Sequence, residues 1–153
     1  VLGNSANYLA AKIVVTNTGN KDMKLDNGSG VKLSLNWTET GGNNSTTITL
    51  KDVDGNTLAT SSFASSSQTD FSFEVDSSSA LTIPGGSSKT IYVYVDTSTA
   101  GYGTDGDTLQ AWLDTAADLK YTIDGAGGES QTGNVGDKVF KGDIFGPVHV
   151  NPS

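Results

Sequence analysis

The chemistry open to this chain is bounded first by what it lacks. It has no Cys and one His, so a Ser-His-Asp site or a His-based zinc site would have to be built on His149 alone. That residue stands in Pro147-Val148-His149-Val150, which reads as a terminal strand, and a structural role is expected for it. The 17 acidic residues offer carboxylate pairs of the kind glycoside hydrolysis needs. Most of them sit in turns beside Gly or Asn, outside any apolar strand centre that would desolvate them. Glu74, on the Phe71–Val75 alternation, comes nearest to an exception, and a period of two points it outward with Ser72. The expectation is a protein that is not an enzyme.

The acids suit a hard cation better. Calcium takes about six to eight oxygens from carboxylates, amides and backbone carbonyls. Asp52, Asp54 and Asn56 follow an Asp-x-Asp-Gly-Asn spacing that resembles half of a helix-loop-helix calcium loop. No Glu closes it and no helices flank it. Asp105 and Asp107 bracket a Gly, Asp114 and Asp118 flank a short Ala-containing turn, and Asp124 and Glu129 bracket a Gly-rich loop. Calcium is therefore the expected cofactor. The competing reading is that Asp-Gly here is turn chemistry, which needs no ion.

Two further patterns concern glycans and contacts. Asn27, Asn36, Asn43 and Asn44 each begin an Asn-x-Ser/Thr acceptor sequence, and alternation points Asn36 to solvent. Tyr92 and Tyr94 lie opposite the Ile91/Val93/Val95 row, and Trp112 lies opposite Leu109/Ala111/Leu113. If those strands are neighbours, the three aromatics share a face. That face packs within the domain, meets another subunit, or stacks on sugar rings.

Positioning these residues falls to strands. Alternation recurs about every ten residues. Ala11, Ile13 and Val15 alternate with Lys12, Val14 and Thr16, and Asn17-Thr18-Gly19-Asn20 stops the run. Val31, Leu33, Leu35 and Trp37 alternate with Lys32, Ser34, Asn36 and Thr38, placing Trp37 inward. Ile48 and Leu50 lead through Asp52–Asn56 to a strand from Thr57 towards Phe63, a hairpin around Asp-Gly. Phe71–Val75, Leu81–Ile83, Ile91–Val95, Leu109–Leu113, Leu119–Ile123, Val139-Phe140 and Ile144–Val150 complete a count of roughly nine or ten strands. One helical turn at 114–118 is the only helical signal. The expected fold is all-β, a jelly-roll-like antiparallel β-sandwich spanning 1–153 as a single domain.

Composition narrows the function classes. The 153 residues carry a net charge of −8, and all nine basic residues are Lys. A phosphate backbone requires clustered positive charge, so nucleic acid is excluded as a partner. No run approaches the ~20 apolar residues of a membrane helix, so no membrane span is expected. The absence of a visible signal peptide, with Val at position 1, is read as the mature or trimmed form of a secreted chain.

Ala11–Asn20 looks like the opening strand and turn of secreted β-sandwich domains. Leu81-Thr82-Ile83-Pro84-Gly85-Gly86-Ser87-Ser88-Lys89-Thr90-Ile91-Tyr92-Val93 resembles a second recurring piece, a Pro-Gly turn before a strand. Together they are similar to fibre-forming domains of the TasA/camelysin type and to archaeal extracellular filament and tube proteins, including cannula subunits. The resemblance implies an extracellular homopolymer built by donor-strand complementation, with calcium at subunit contacts. The donor would be residues 1–8 or the C-terminal Val139–Val150. The alternative is a carbohydrate-binding module using Tyr92, Tyr94 and Trp112.

Overall fold

The computed structural model describes residues 5–25, 31–38, 45–64, 69–73, 82–98, 108–113, 120–124, 130–134 and 144–150. These form twelve strands and no helix: β1 Tyr8–Thr16, β2 Met23–Leu25, β3 Val31–Thr38, β4 Ser45–Lys51, β5 Thr57–Ala64, β6 Thr69–Phe73, β7 Thr82–Ile83, β8 Ser88–Val95, β9 Thr108–Leu113, β10 Lys120–Asp124, β11 Ser130–Asn134 and β12 Ile144–Val150. They pair in three four-stranded sheets of order β1-β8-β4-β5, β12-β9-β3-β6 and β11-β10-β2-β7. Every pairing is antiparallel. The fold is all-β, as alternation requires. The strand count exceeds the roughly nine or ten read from alternation; the strands absent from that reading are β2, which is three residues long, and β11, which has no apolar residue. The strand expected at Val139-Phe140 and the turn at 114–118 lie outside the described residues.

β8 shows how the pattern becomes a core. Ile91, Val93 and Val95 have no exposed surface, while Tyr92 and Tyr94 between them are half-buried. The register sets Val95 beside Ile48 and Val93 beside Leu50 on β4, and both partners are fully buried. Cross-strand neighbours share a face, so this sheet has one continuous aliphatic side. Each such side chain contributes about 1.5–3 kcal/mol on burial. On β9, Leu109 and Ala111 are buried, and Trp37 of β3 pairs with Leu109 while Asn36 pairs with Gln110.

Three edge strands depart from regular pairing. In β5 the register with β4 slips between Leu50 and Lys51, so Leu58 is the extra residue. In β1 the register slips by one residue between Leu9 and Ala11, so Ala10 is the extra residue of a bulge. In β12 it slips between Phe145 and Val148, where Gly146 and Pro147 stand. Proline is tolerated at such a place because it has no N–H to give a ladder. Gly146 is required sterically: a Cβ there would fall 2.6 Å from the Ala111 carbonyl oxygen and 3.5 Å from the Ala11 Cβ. These contacts set the two bulged edges β1 and β12, from different sheets, side by side.

Residues 5–8 are bound to the chain's own sheet. Ser5 accepts a bond from the Thr97 backbone N–H at 2.8 Å and donates to Thr97 Oγ1 at 3.2 Å, and Tyr8 opens β1. Among the described residues no helix is long and apolar enough to cross a membrane.

Candidate functional site

The best-formed polar constellation lies where the two bulged edges meet. The bulge in β1 turns the Ala10 carbonyl out of the ladder, and His149 Nε2 bonds it at 2.7 Å. A carbonyl can only accept, so Nε2 carries the proton. Nδ1 is then the acceptor for the Tyr8 hydroxyl, 2.8 Å away. The two rings meet edge-on, with centroids 5.1 Å apart at 88°. Burial pushes the Tyr8 phenol above its ordinary value. Gln110 Nε2 donates to the Gly146 carbonyl at 3.0 Å, which satisfies the second bulge. Leu9, Ala10, Ala11, Lys12, Pro147 and His149 line an open groove of about 380 Å³ beside this clasp. Both imidazole nitrogens are engaged, so the one His of the chain is a fastener between sheets. Tyr8 carries no signal in the sequence that would single it out, since its partner lies 141 positions away.

The Asp52–Asn56 loop is a hairpin turn, as the Asp-Gly pair requires. Gly55 has a φ of 85°, a conformation that costs any residue with a Cβ. Asp52 Oδ1 accepts from the Asp54 N–H at 3.0 Å and the Asn56 N–H at 2.8 Å, and Oδ2 accepts from Asn56 Nδ2 at 2.8 Å. Four N–H groups thus do for Asp52 and its carbonyl what a cation does in a calcium loop, counting Gly55 N–H to Asp52 O at 3.2 Å. The Asn56 side chain, followed by the backbone donors, holds the Asp52 carboxyl below its usual range. Asn56→Ala should therefore raise the Asp52 midpoint towards 3.8. A carboxyl NMR titration checks this, and an unmoved midpoint would remove Asn56 as the cause. The sign follows from linkage: the carboxylate's contribution is present above its unfolded value and lost as pH falls through the folded one.

Asp105, Asp107, Asp114, Asp118 and Glu129 lie outside the described residues, as do Asn27, Asn43 and Asn44 among the acceptor sequences. Asp124 ends β10 opposite Ser130. Among the described residues no three His, Cys, Asp or Glu side chains cluster as a metal site.

The aromatic residues divide between sheets. Tyr92 and Tyr94 are on β8, whose neighbours are β1 and β4, whereas Trp112 is on β9, whose neighbours are β12 and β3. The adjacency on which a three-aromatic face depended is not met. Tyr92 and Tyr94 instead form their own surface with two lysines. Lys12 Nζ sits 5.4 Å from the Tyr92 ring centroid, and Lys51 Nζ sits 5.2 Å from that of Tyr94. Asn17 is a further residue of consequence that turn chemistry alone did not reveal: it is buried, with 4% of its surface exposed.

No family model matches the chain, and no curated protein matches it. Among solved structures, an arabinose-bound GH51 α-L-arabinofuranosidase is similar over 82% of this chain, at 17% identity and a TM-score of 0.36. The chain spans 19% of that protein's length. FlgD from Xanthomonas campestris, a protein of hook capping in flagellar assembly, is similar over 80% of this chain and 87% of its own, at 11% identity and a TM-score of 0.29. Likenesses this distant say nothing of what this chain does.

Proposed function

We propose that this chain is a structural subunit of an extracellular filament or tube, assembling with copies of itself by strand addition at an open sheet edge, with calcium assisting the contacts. The observation that supports this reading is β5. It is the outermost strand of its sheet, eight residues long, and its sequence Thr-Leu-Ala-Thr-Ser-Ser-Phe-Ala has neither a charge nor a proline. Among the described residues it pairs only with β4. Edge strands in stable monomers are usually blunted by charge, proline, bulges or a cover. β5 carries one bulge, at Leu58 near its start, and pairs regularly from Ala59 to Ala64, whereas the opposite edge, β1, is both bulged and clasped by His149. An added strand would satisfy the free N–H and C=O groups of β5. The engagement of both nitrogens of the lone imidazole favours a role without catalysis.

Thr60 is exposed on β5. Thr60→Lys should raise the concentration needed for polymerisation about tenfold, the effect of ~1.4 kcal/mol per contact, with the monomer's circular dichroism unchanged. Electron microscopy and sedimentation with and without millimolar calcium read both. A wild-type chain that stays monomeric in every condition defeats the assembly reading. A lysine variant that polymerises like the wild type defeats β5 as its contact.

A further inference from the structure

We infer that the outer face of the sheet β1-β8-β4-β5 binds an acidic polysaccharide, with Tyr92 and Tyr94 supporting sugar rings and Lys12 and Lys51 pairing their carboxylates. This goes beyond the assembly reading and does not rest on it. The register lays Lys12, Tyr92 and Lys51 in one row across three strands, and Leu9, Tyr94 and Thr49 in the next. The two lysines thus flank a central ring, about 10 Å apart at the backbone. Each ammonium covers a tyrosine ring at 5.2–5.4 Å, a separation at which the ring quadrupole attracts it. Neither lysine has a carboxylate partner among the described residues. The acids that follow these strands do not supply one: Asp52 is held by its own turn, and Asp96 Oδ1 by Ser98.

Among the described residues these two lysines rest on aromatic rings instead of pairing with carboxylates, which gives the face local positive charge. The chemistry of the occupant follows from what must be exchanged. A neutral glycan reaching the rings displaces both ammonium groups and returns only hydrogen bonds to uncharged oxygens, the weaker kind. A glycan bearing carboxylates draws each ammonium into a charge-assisted hydrogen bond, which is stronger than the cation–ring contact it replaces. The uncovered ring is then free for the apolar face of the sugar. Two lysines are too few for a phosphate backbone, whose binding grows with every charge neutralised.

The test is affinity electrophoresis through gels containing polygalacturonate, at physiological salt, where charges beyond about 8 Å are screened. It uses the wild-type chain at a concentration where sedimentation shows a monomer, so that retardation is not confused with polymer formation. Retardation by polygalacturonate and none by hydroxyethylcellulose is expected. Lys12→Gln and Lys51→Gln should each weaken binding about tenfold, and Tyr92→Ala or Tyr94→Ala about fivefold. All four positions lie on the outer face, and circular dichroism checks that each variant folds. The proposal is overturned by absence of retardation in polygalacturonate. It is also overturned if dextran sulfate retards the chain equally and the tyrosine variants are unaffected, which is generic attraction to a polyanion. Sedimentation supplies a third adverse result: lysine variants that dissociate a wild-type oligomer, with no effect of glycan, would make the occupant a second copy of this chain.

Discussion

Asn17→Ala should lower the unfolding free energy by about 3 kcal/mol, because it leaves buried backbone groups without partners. The side chain makes three bonds. Nδ2 donates to the Lys21 carbonyl at 2.7 Å and to the Ile83 carbonyl at 2.9 Å, and Oδ1 accepts from the Gly19 N–H at 3.0 Å. Its own backbone N–H donates to the Ser87 carbonyl at 2.9 Å. One residue thereby ties the end of β1 to β7, which belongs to another sheet. The bond to Ile83 is buried, and no water can replace it without opening the packing. A loss of this size should lower Tm by about 6–12 °C for a chain of this length. Asn17→Asp keeps the shape but sets acceptor oxygens against two carbonyls, so it should not rescue. Urea unfolding of both variants decides the matter, and a loss below about 1 kcal/mol would mean that the turn re-forms its bonds without the amide.

The same knot explains why two distant segments behave as one. A Cβ on Gly85 would stand 2.6 Å from the Asn20 carbonyl carbon, so the Pro84–Ser87 turn lies directly on the turn after β1. The strands those turns serve, β1 and β8, pair along most of their length. The runs Ala11–Asn20 and Thr82–Val93 are therefore one contiguous piece of structure. The Tyr92 and Tyr94 face is built on it.

What could be read in advance was whatever a period of two encodes. Ile91, Val93 and Val95 had to be inside once Tyr92, Tyr94 and the flanking turns fixed the phase, and the Asp54-Gly55 pair had to be a hairpin. The bulges could not be read. Ala10 is almost fully buried although alternation from Ala11 points it outward, because one inserted residue shifts the phase of what precedes it. β11, Ser-Gln-Thr-Gly-Asn, has no apolar residue and is a strand only because β10 lies beside it. Its order is a tertiary fact.

The candidate sites follow the same division. Asp52 and Asn56 are local, and their spacing predicted a turn that the hydrogen bonds then specify. Tyr92 and Tyr94 share a face, opposite Ile91, Val93 and Val95, because they share one strand. Trp112 could not be placed beside them, since strand order within sheets is not written in any single segment. Asn17 looked like ordinary turn chemistry, and only its contact with Ile83, 66 positions away, makes it a structural pivot.

His149→Ala should destabilise the chain by about 2–3 kcal/mol, since it leaves both the Tyr8 hydroxyl and the Ala10 carbonyl without their bonds. Tyr8→Phe removes one bond and should cost about 1 kcal/mol. The double variant should cost less than the sum, because the two residues act through a shared contact. Nitrogen chemical shifts provide an independent reading: Nε2 should be the protonated nitrogen and Nδ1 the bare one. Raising the pH offers a third. Burial lifts the Tyr8 phenol above 10.0, so its contribution is complete below that value and lost as pH rises through the folded one. Ionisation also removes the hydrogen that Nδ1 accepts. The clasp should open on the alkaline side, and Tyr8→Phe should abolish that part of the stability loss. Additive variants, or an alkaline loss untouched by Tyr8→Phe, would show that the two bulged edges are held together by packing around Gly146 and Ala11 and not by the imidazole.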